Sequence, residues 1–451
     1  MEPWSPERIA ALAPDAASAS AGQALATPRK WTALGRSDRA IWGLCQGSGK
    51  QPYQARVDLS EPAFKCGCPS RKVPCKHGLG LLLLFARTPD AFVRGDEPPW
   101  VSDWIAERVQ RETNKVEQKT RSADKPVDLE SQAKRAAQRD ARVRDGVAGC
   151  RVWLEDLVRR GLAAAQSDPA ADWERAAARL VDSQAPGLAS FVRRIPAMMA
   201  SGPGWDTRTV DLLGRLHLLL CAAERLDDLP ADVAVDVRTA LGWTQSREET
   251  LAAAGVADRW TAIGQVIEEE ERFRVSRTWL AGQHTGRRAL ILEFAAGSQP
   301  LERSMAAGSS FEGELAFYPG RQPLRALVKS RSASFPIGDV GSGADQTIEE
   351  GLGRYAAALA LNPWTFRWPL VLAGVRPVMD GAHWFLVDEQ NHGLPVRPAF
   401  ARSLQLWRLV AARPGSAATV VAEWDGITAL PISAFIDEAS EYLDLAPRWA
   451  A

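Results

Sequence analysis

The strongest constraint on the fold is a cluster of metal-binding side chains within residues 66–77. These side chains form two pairs, each with one intervening residue: Cys66 and Cys68, then Cys75 and His77. Thiolate and imidazole ligands favour Zn²⁺, and four protein ligands complete the tetrahedron of a structural zinc site. Residues at i and i+2 share one face of an extended strand, so the first two cysteines can reach one ion. The pattern predicts one structural Zn²⁺ with no coordination position left for catalysis.

The second pair precedes an apolar run, residues 79–85, which predicts a short buried helix. A helix N-terminus stabilises thiolates through its free amides and its dipole. The two alternatives to metal ligation are that these cysteines are buried non-ligand side chains or that they form disulfides. Residues 1–30 lack the continuous apolar segment of a secretory signal, so a reducing, cytoplasmic location is expected and disulfides are disfavoured. The remaining cysteines are interpreted as buried side chains rather than ligands: Cys45, Cys150 and Cys221.

Cys-x-Cys followed by Cys-x-His, after a strand pair at 42–59 and before a helix, resembles the SWIM-type zinc finger. The resemblance covers about residues 40–86, and the longer phrase around it is similar to bacterial SWIM zinc-finger proteins. It implies zinc binding and an interaction role with protein or nucleic acid, and it does not imply catalysis. Bacterial proteins of this kind tend to be encoded beside MoxR-type AAA ATPases and von Willebrand A-domain proteins. The resemblance therefore implies a protein partner in such a system.

The charge pattern leaves both kinds of partner open. The chain is neutral overall, with 55 basic and 55 acidic residues, but residues 1–145 hold 24 basic against 18 acidic side chains. A local basic excess around the cysteines is a modest footprint for phosphate, and a solvated face around a structural zinc explains it equally well. The candidate contact residues are Lys50, Lys65, Arg71, Lys72 and Lys76.

The order of sequence patterns predicts an α+β multidomain protein. A small N-terminal ββα zinc module is followed by an all-helical middle domain and a C-terminal α+β domain with an antiparallel sheet. The predicted bounds are 1–104 for the N-terminal domain, 105–145 for a charged linker or solvated helix, 146–255 for the helical domain and 256–451 for the last domain. No apolar stretch approaches the roughly 20 residues needed to cross a bilayer.

Other polar residues are interpreted as structural. His217 lies in an apolar helical pattern and is expected to be a core residue, and the acidic run 268–271 is expected to be a solvated edge or loop. Gly-x-Ser-x-Gly and His-Glu-x-x-His motifs are absent from the sequence, so we expect no enzyme.

Two functional hypotheses follow. The first is an adaptor that docks protein partners, and the alternative is nucleic-acid binding through the basic face of the finger.

Overall fold

A computed structural model describes most of the chain. It divides into two compact units, Met1–Val127 and Asp128–Ala451. The described residues are 9, 12–13, 16–46, 51–59, 63–70, 72, 74–108, 110, 129–270, 273–296, 305–332, 334–336, 343–401, 403–412, 415–436 and 441–446.

The first unit contains a five-stranded sheet with helices on both faces. Its strands are β1 (Trp31–Arg36), β2 (Ala40–Cys45), β3 (Tyr53–Asp58), β4 (Ala63–Cys66) and β5 (Val93–Arg94), and its helices are α1 (Ala16–Leu25), α2 (Lys76–Arg87) and α3 (99–108). The sheet order is β4-β3-β2-β1-β5, with β5 parallel to β1 and the other pairs antiparallel. The predicted ββα unit was therefore too small, because the zinc module lies within a larger sheet.

Strand alternation assigns the two faces of this sheet. On one face Ile41, Cys45 and Val57 pack with the leucines of α2, while on the other Trp42 packs with Trp104 of α3. Successive side chains of a strand point to opposite faces. Nearly every residue of α2 from His77 to Phe85 is buried, which explains its continuous apolar sequence.

Small residues let α1 approach α2 closely. A Cβ atom at Gly80 would lie 2.7 Å from Leu25 Cβ and 3.0 Å from the Gly22 carbonyl oxygen. A Cβ atom at Gly22 would lie 2.9 Å from Leu79 Cβ. This close contact fixes α2, and with it the side chains at its N-terminus.

The second unit begins with a helical bundle. Its helices are α4 (Leu129–Arg160), α5 (Leu162–Ala165), α6 (Ala170–Asp182), α7 (Pro186–Met199), α8 (Trp205–Glu224), α9 (Ala231–Leu241) and α10 (Arg247–Ala252). The core contains Leu157, Leu188, Phe191, Ile195 and Leu216, each at most 3% exposed. Helix α4 begins inside the range 105–145 that the sequence assigned to a linker or solvated helix, and residues 111–128 of that range lie outside the described residues.

Strands follow the bundle in two mainly antiparallel sheets. The first, with order β10-β9-β6-β7-β8 and β11 paired to β9, contains β6 (Val256–Glu270), β7 (Phe273–Gly282), β8 (Arg288–Ala296), β9 (Ser309–Phe317), β10 (Ala326–Arg331) and β11 (Phe335–Pro336). The second, with order β14-β13-β12-β15-β16-β17, contains β12 (Trp368–Asp380), β13 (His383–Val387), β14 (Gly393–Pro395), β15 (Ala418–Trp424), β16 (Ala429–Ile436) and β17 (Glu441–Asp444). The helices among these strands are α11 (Ile348–Leu361), α12 (Pro398–Ala401) and α13 (Gln405–Ala412).

The two sheets share one core, which contains Ile263 and Trp279 from the first sheet and Leu370, Val420 and Ile432 from the second. The Ser433 hydroxyl also donates a hydrogen bond to the Ile263 carbonyl. The predicted single sheet is thus corrected to two, while the α+β class and the helical middle region agree with the structure. Within the described residues, no helix has the length and apolar character of a membrane span.

Candidate metal centre

The four candidate ligands come from a strand end, a short loop and a helix start. Cys66 ends β4, Cys68 follows two residues later, and Cys75 is the residue that caps α2. His77 is the second residue of that helix. Because Cys66 pairs with Ala55 of β3, strand alternation directs it to the sheet face that α2 covers. The fold therefore brings both halves of the cysteine and histidine pattern to one point.

The ligand atoms are spaced for a single ion. All four lie within 4.8 Å of one another. The His77 Nδ1 atom lies 3.8 Å from Cys66 Sγ and 4.0 Å from Cys75 Sγ. Bonds of about 2.0–2.3 Å to a tetrahedral zinc imply ligand–ligand distances of about 3.5–3.8 Å. Residues Cys66, Cys68, Cys75 and His77 thus form a potential metal site of the closed, four-ligand type.

Burial shields one side of this site. Cys75 is 6% exposed and His77 is 4% exposed, whereas Cys66 and Cys68 are half-buried. The His77 ring packs on Tyr53, with ring centroids 5.1 Å apart. On its other side, the Nδ1 atom of the His77 ring lies near the Sγ atoms of Cys66 and Cys75.

Two glycines near the ligands differ in their roles. A Cβ at Gly78 would lie 2.9 Å from the Phe64 ring, so glycine is needed there for the helix to lie against that ring. A Cβ at Gly67 would have only the Gln54 amide nitrogen nearby, at 3.8 Å. The Gly67 N–H donates to the Gln54 carbonyl at 3.0 Å, so this residue continues the strand ladder between the two cysteines.

Without a bound ion, the closely spaced thiol groups shift one another's pKa. The hydrogen bond with Cys75 and burial raise the pKa of Cys66, while the hydrogen bond with Cys66 lowers the pKa of Cys75. Burial also raises the pKa of Cys68. A divalent cation would relieve this conflict, because it stabilises all three thiolates at once. The donor set therefore fits a soft or borderline metal ion.

The other cysteines lie apart from the four ligand atoms. Cys45 is fully buried at the end of β2, and Cys150 is buried in the bundle, where burial raises its pKa to about 12. Cys221 is half-buried, 3.5 Å from the His217 Nε2 atom. His217 itself is exposed on α8, so its expected core position was wrong.

The structure describes three of the five candidate contact residues, Lys65, Lys72 and Lys76. Lys65 lies 3.9 Å from the Glu107 carboxylate, on the sheet face opposite the metal site. Lys72 and Lys76 are exposed beside the ligands, and Lys76 begins α2. Lys50 and Arg71 lie outside the described residues.

The helical bundle provides the comparison with known proteins. Residues 138–241 match the SWIM-associated four-helix bundle domain. This region runs from within α4 to the last residue of α9. Together with the cysteine and histidine cluster, the SWIM-associated bundle is consistent with a SWIM-type zinc finger protein, which confirms the resemblance inferred from the sequence. The comparisons with curated proteins and with solved structures gave no match.

Like His217, Glu268 was misinterpreted from the sequence. Glu268, from the acidic run expected to be solvated, is half-buried and accepts two hydrogen bonds from the buried Arg277. Arg277 also binds Glu423, 146 residues away along the chain. A local pattern could indicate only that Glu268 and Arg277 are diagonal neighbours on the paired strands β6 and β7. The third member of the cluster, Glu423, lies on another sheet.

Proposed function

We propose that this protein is a zinc-dependent adaptor, in which a structural Zn²⁺ shapes an interaction module for a protein partner. The complete four-ligand set carries this proposal, because a saturated site offers no position for a substrate or a reactive water. The zinc instead joins the end of β4 to the start of α2, and so supports the folding of the first unit. The proposal includes no catalytic role.

The charges of the finger favour a protein partner. Arg56, one of its basic residues, is buried, with its guanidinium 5.2 Å from the Trp100 ring and 5.6 Å from the Trp104 ring. Lys65 lies near Glu107 on the same face. Burial removes Arg56 from the positive surface on which non-specific nucleic-acid binding would depend, and the Glu107 carboxylate offsets part of the charge of the exposed Lys65.

One observation favours the alternative of nucleic-acid binding. Lys76 is exposed between the candidate ligands Cys75 and His77. Lys72 is also exposed near the ligands. A small basic patch therefore remains beside the metal site, and it can be tested by charge reversal.

The metal is tested first. The purified full chain should contain about one zinc, and Cys66→Ser should lose it, while Cys221→Ser should retain it. Zinc loss should unfold the first unit and leave the unfolding transition of the second unit in place. Folded, metal-free wild-type protein would contradict the proposal.

The partner is tested with the zinc-loaded chain. We expect it to bind a purified MoxR-type AAA ATPase from the same genome, and we expect Cys66→Ser to lose that binding while Cys221→Ser retains it. In parallel, DNA binding is titrated against salt with Lys72→Glu/Lys76→Glu and with Lys134→Glu as an exposed control. Steeply salt-dependent DNA binding that only the double variant loses would favour the alternative. Absence of ATPase binding by the zinc-loaded wild type would refute the proposed partner.

A further inference from the structure

A second polar site lies where the bundle meets the C-terminal sheets. The segment between α11 and β12 packs onto the bundle, with the Phe366 ring centroid 5.0 Å from that of Phe191. The Trp364 indole donates a hydrogen bond to the Arg215 carbonyl at 3.2 Å. These contacts place Arg367, the residue after Phe366, beside α7 of the bundle and beside the charged residues of the sheets.

Arg277 forms hydrogen bonds with two carboxylates in this region. It donates to Glu268 at 2.7 and 2.8 Å and to Glu423 at 3.0 and 3.1 Å. The Trp279 indole donates to Glu423 as well, at 2.8 Å. The side chains of Arg277 and Glu423 are 4% and 1% exposed. The hydrogen bonds between Arg277 and Glu423 therefore lie inside the core.

Arg367 lies farther from the same two carboxylates than Arg277 does. Its guanidinium lies 3.6 Å from Glu268 and 4.0 Å from Glu423, which are ion-pair distances without a direct hydrogen bond. Burial and the repulsion of Arg277 lower the pKa of Arg367, yet its side chain remains 39% exposed. We refer to the partly exposed space beside Arg367 and the Phe366 ring as the recess.

Arg194 of α7 lies at the edge of this recess, on the Phe366 ring. Its guanidinium stacks on the Phe366 ring at 3.9 Å, and no carboxylate of the described residues lies within ion-pair distance. Burial and the repulsion of Arg367 lower the pKa of Arg194 to about 10, with a smaller opposing effect from Asp425. The group remains positively charged at neutral pH, because that pKa is still about three units above it.

The local charges do not balance. Among the described side chains, the cluster contains four guanidinium groups and three carboxylates. These are Arg194, Arg277, Arg367 and Arg397, with Glu268, Glu423 and Asp425. Arg397 pairs with Asp425 at 3.3 Å, so that carboxylate is also engaged. The surplus positive charge is located at Arg194 and Arg367.

We propose that the recess lined by Arg194 and Arg367 binds the phosphoryl group of a small-molecule ligand. Each guanidinium offers a planar fork of N–H donors that matches phosphate or carboxylate oxygens. Arg194 lies on α7 and Arg367 lies directly before β12. To bind both guanidinium groups in a bidentate manner, a ligand needs more than the two oxygen atoms of a carboxylate. A phosphoryl group presents at least three, and its negative charge offsets the surplus of the cluster.

The experiment measures the binding of inorganic phosphate to the full chain by calorimetry and by thermal unfolding. Sodium chloride of equal ionic strength and sodium acetate are the reference anions. We expect saturable stabilisation by phosphate alone. Loss of a charge-assisted contact in Arg194→Gln or Arg367→Gln should weaken phosphate binding about ten-fold or more. Arg193→Gln is the matched control, because Arg193 neighbours Arg194 on α7 but pairs with Glu174 on the surface, and its phosphate affinity should not change.

The unfolding midpoint without phosphate separates binding from a structural role. Because Arg194 has no ion-pair partner among the residues that the structure describes and is repelled by Arg367, Arg194→Gln should keep the wild-type midpoint in chloride or raise it. A large fall of that midpoint, with no phosphate response in the wild type, would overturn the proposal. Equal stabilisation by acetate, or an equal phosphate response in Arg193→Gln and Arg194→Gln, would also overturn it.

Discussion

Replacement of Glu423 by glutamine tests the charge cluster that joins the two C-terminal sheets. Glu423 lies on β15 and accepts hydrogen bonds from Arg277 and Trp279, both on β7 of the other sheet. Its side chain is 1% exposed, and that of Arg277 is 4% exposed. Glutamine has nearly the same shape and keeps one acceptor oxygen. The substitution thus removes the charge while it preserves most of the packing.

The expected loss of unfolding free energy is about 3 kcal/mol. Removal of one partner of a buried ion pair costs about 3–5 kcal/mol, because the other charge stays buried without compensation. Arg277 still has its two hydrogen bonds to Glu268, so the loss should lie at the lower end of that range. Arg277→Gln should cost more than Glu423→Gln, since it leaves two carboxylates without their principal partner.

Urea unfolding followed by far-UV circular dichroism measures these losses in the second unit. Glu312→Gln is the matched control, because the Arg259–Glu312 pair lies on the surface, with side chains 38% and 65% exposed. Exposed pairs contribute about 0–1 kcal/mol. A loss for Glu423→Gln no larger than that of Glu312→Gln would refute the argument that burial determines the cost. The same substitution increases the positive surplus, so phosphate should bind more tightly to Glu423→Gln than to the wild type.

Two further predictions concern local packing and pH. Gly80→Ala should destabilise the first unit by about 1–3 kcal/mol, because its Cβ would meet Leu25; Gly149→Ala, where a Cβ meets nothing within 4 Å, should leave stability unchanged or raise it by up to about 1 kcal/mol in thermal unfolding. Burial alone would raise the pKa of Asp258, but hydrogen bonds from Thr285 and His284 lower it to about 2. Since the folded-state pKa is depressed, Asp258→Asn should cost about 2 kcal/mol at neutral pH, and the difference should vanish as the pH falls from about 4 to 2. A pH-independent difference in urea unfolding would refute this assignment.

The sequence was most informative where the determinants are local. The spacing of Cys66, Cys68, Cys75 and His77 predicted a shared site, because strand alternation and a helix start suffice to bring such ligands together. The segment Ile348–Leu361 has helical periodicity in its sequence, and it is a helix in the structure. Its start is fixed by the Thr347 hydroxyl, which accepts a hydrogen bond from the Glu350 amide.

Long-range pairing explains what the sequence did not predict. Strand β5 pairs with β1 in the first sheet, although three strands and α2 lie between them along the chain. With only two residues, β5 is too short to give a periodic signal in the sequence. His217 was misassigned because a helical pattern gives a stripe of buried positions without fixing its width. The second C-terminal sheet and the partners of Arg277 depend on which strands meet, and period-2 alternation carries no information on that.

The two candidate sites share an energetic property. At the metal centre, burial and proximity raise the pKa of Cys66, so the protein without an ion holds thiols in mutual conflict. At the recess, Arg194 is held near another cation, although an apolar side chain would also pack on Phe366. Both arrangements reduce the stability of the chain alone, and both are relieved by a bound species of opposite charge. A sequence optimised only for folding would avoid such groups, so their presence at two structured positions favours ligands as the stabilising component.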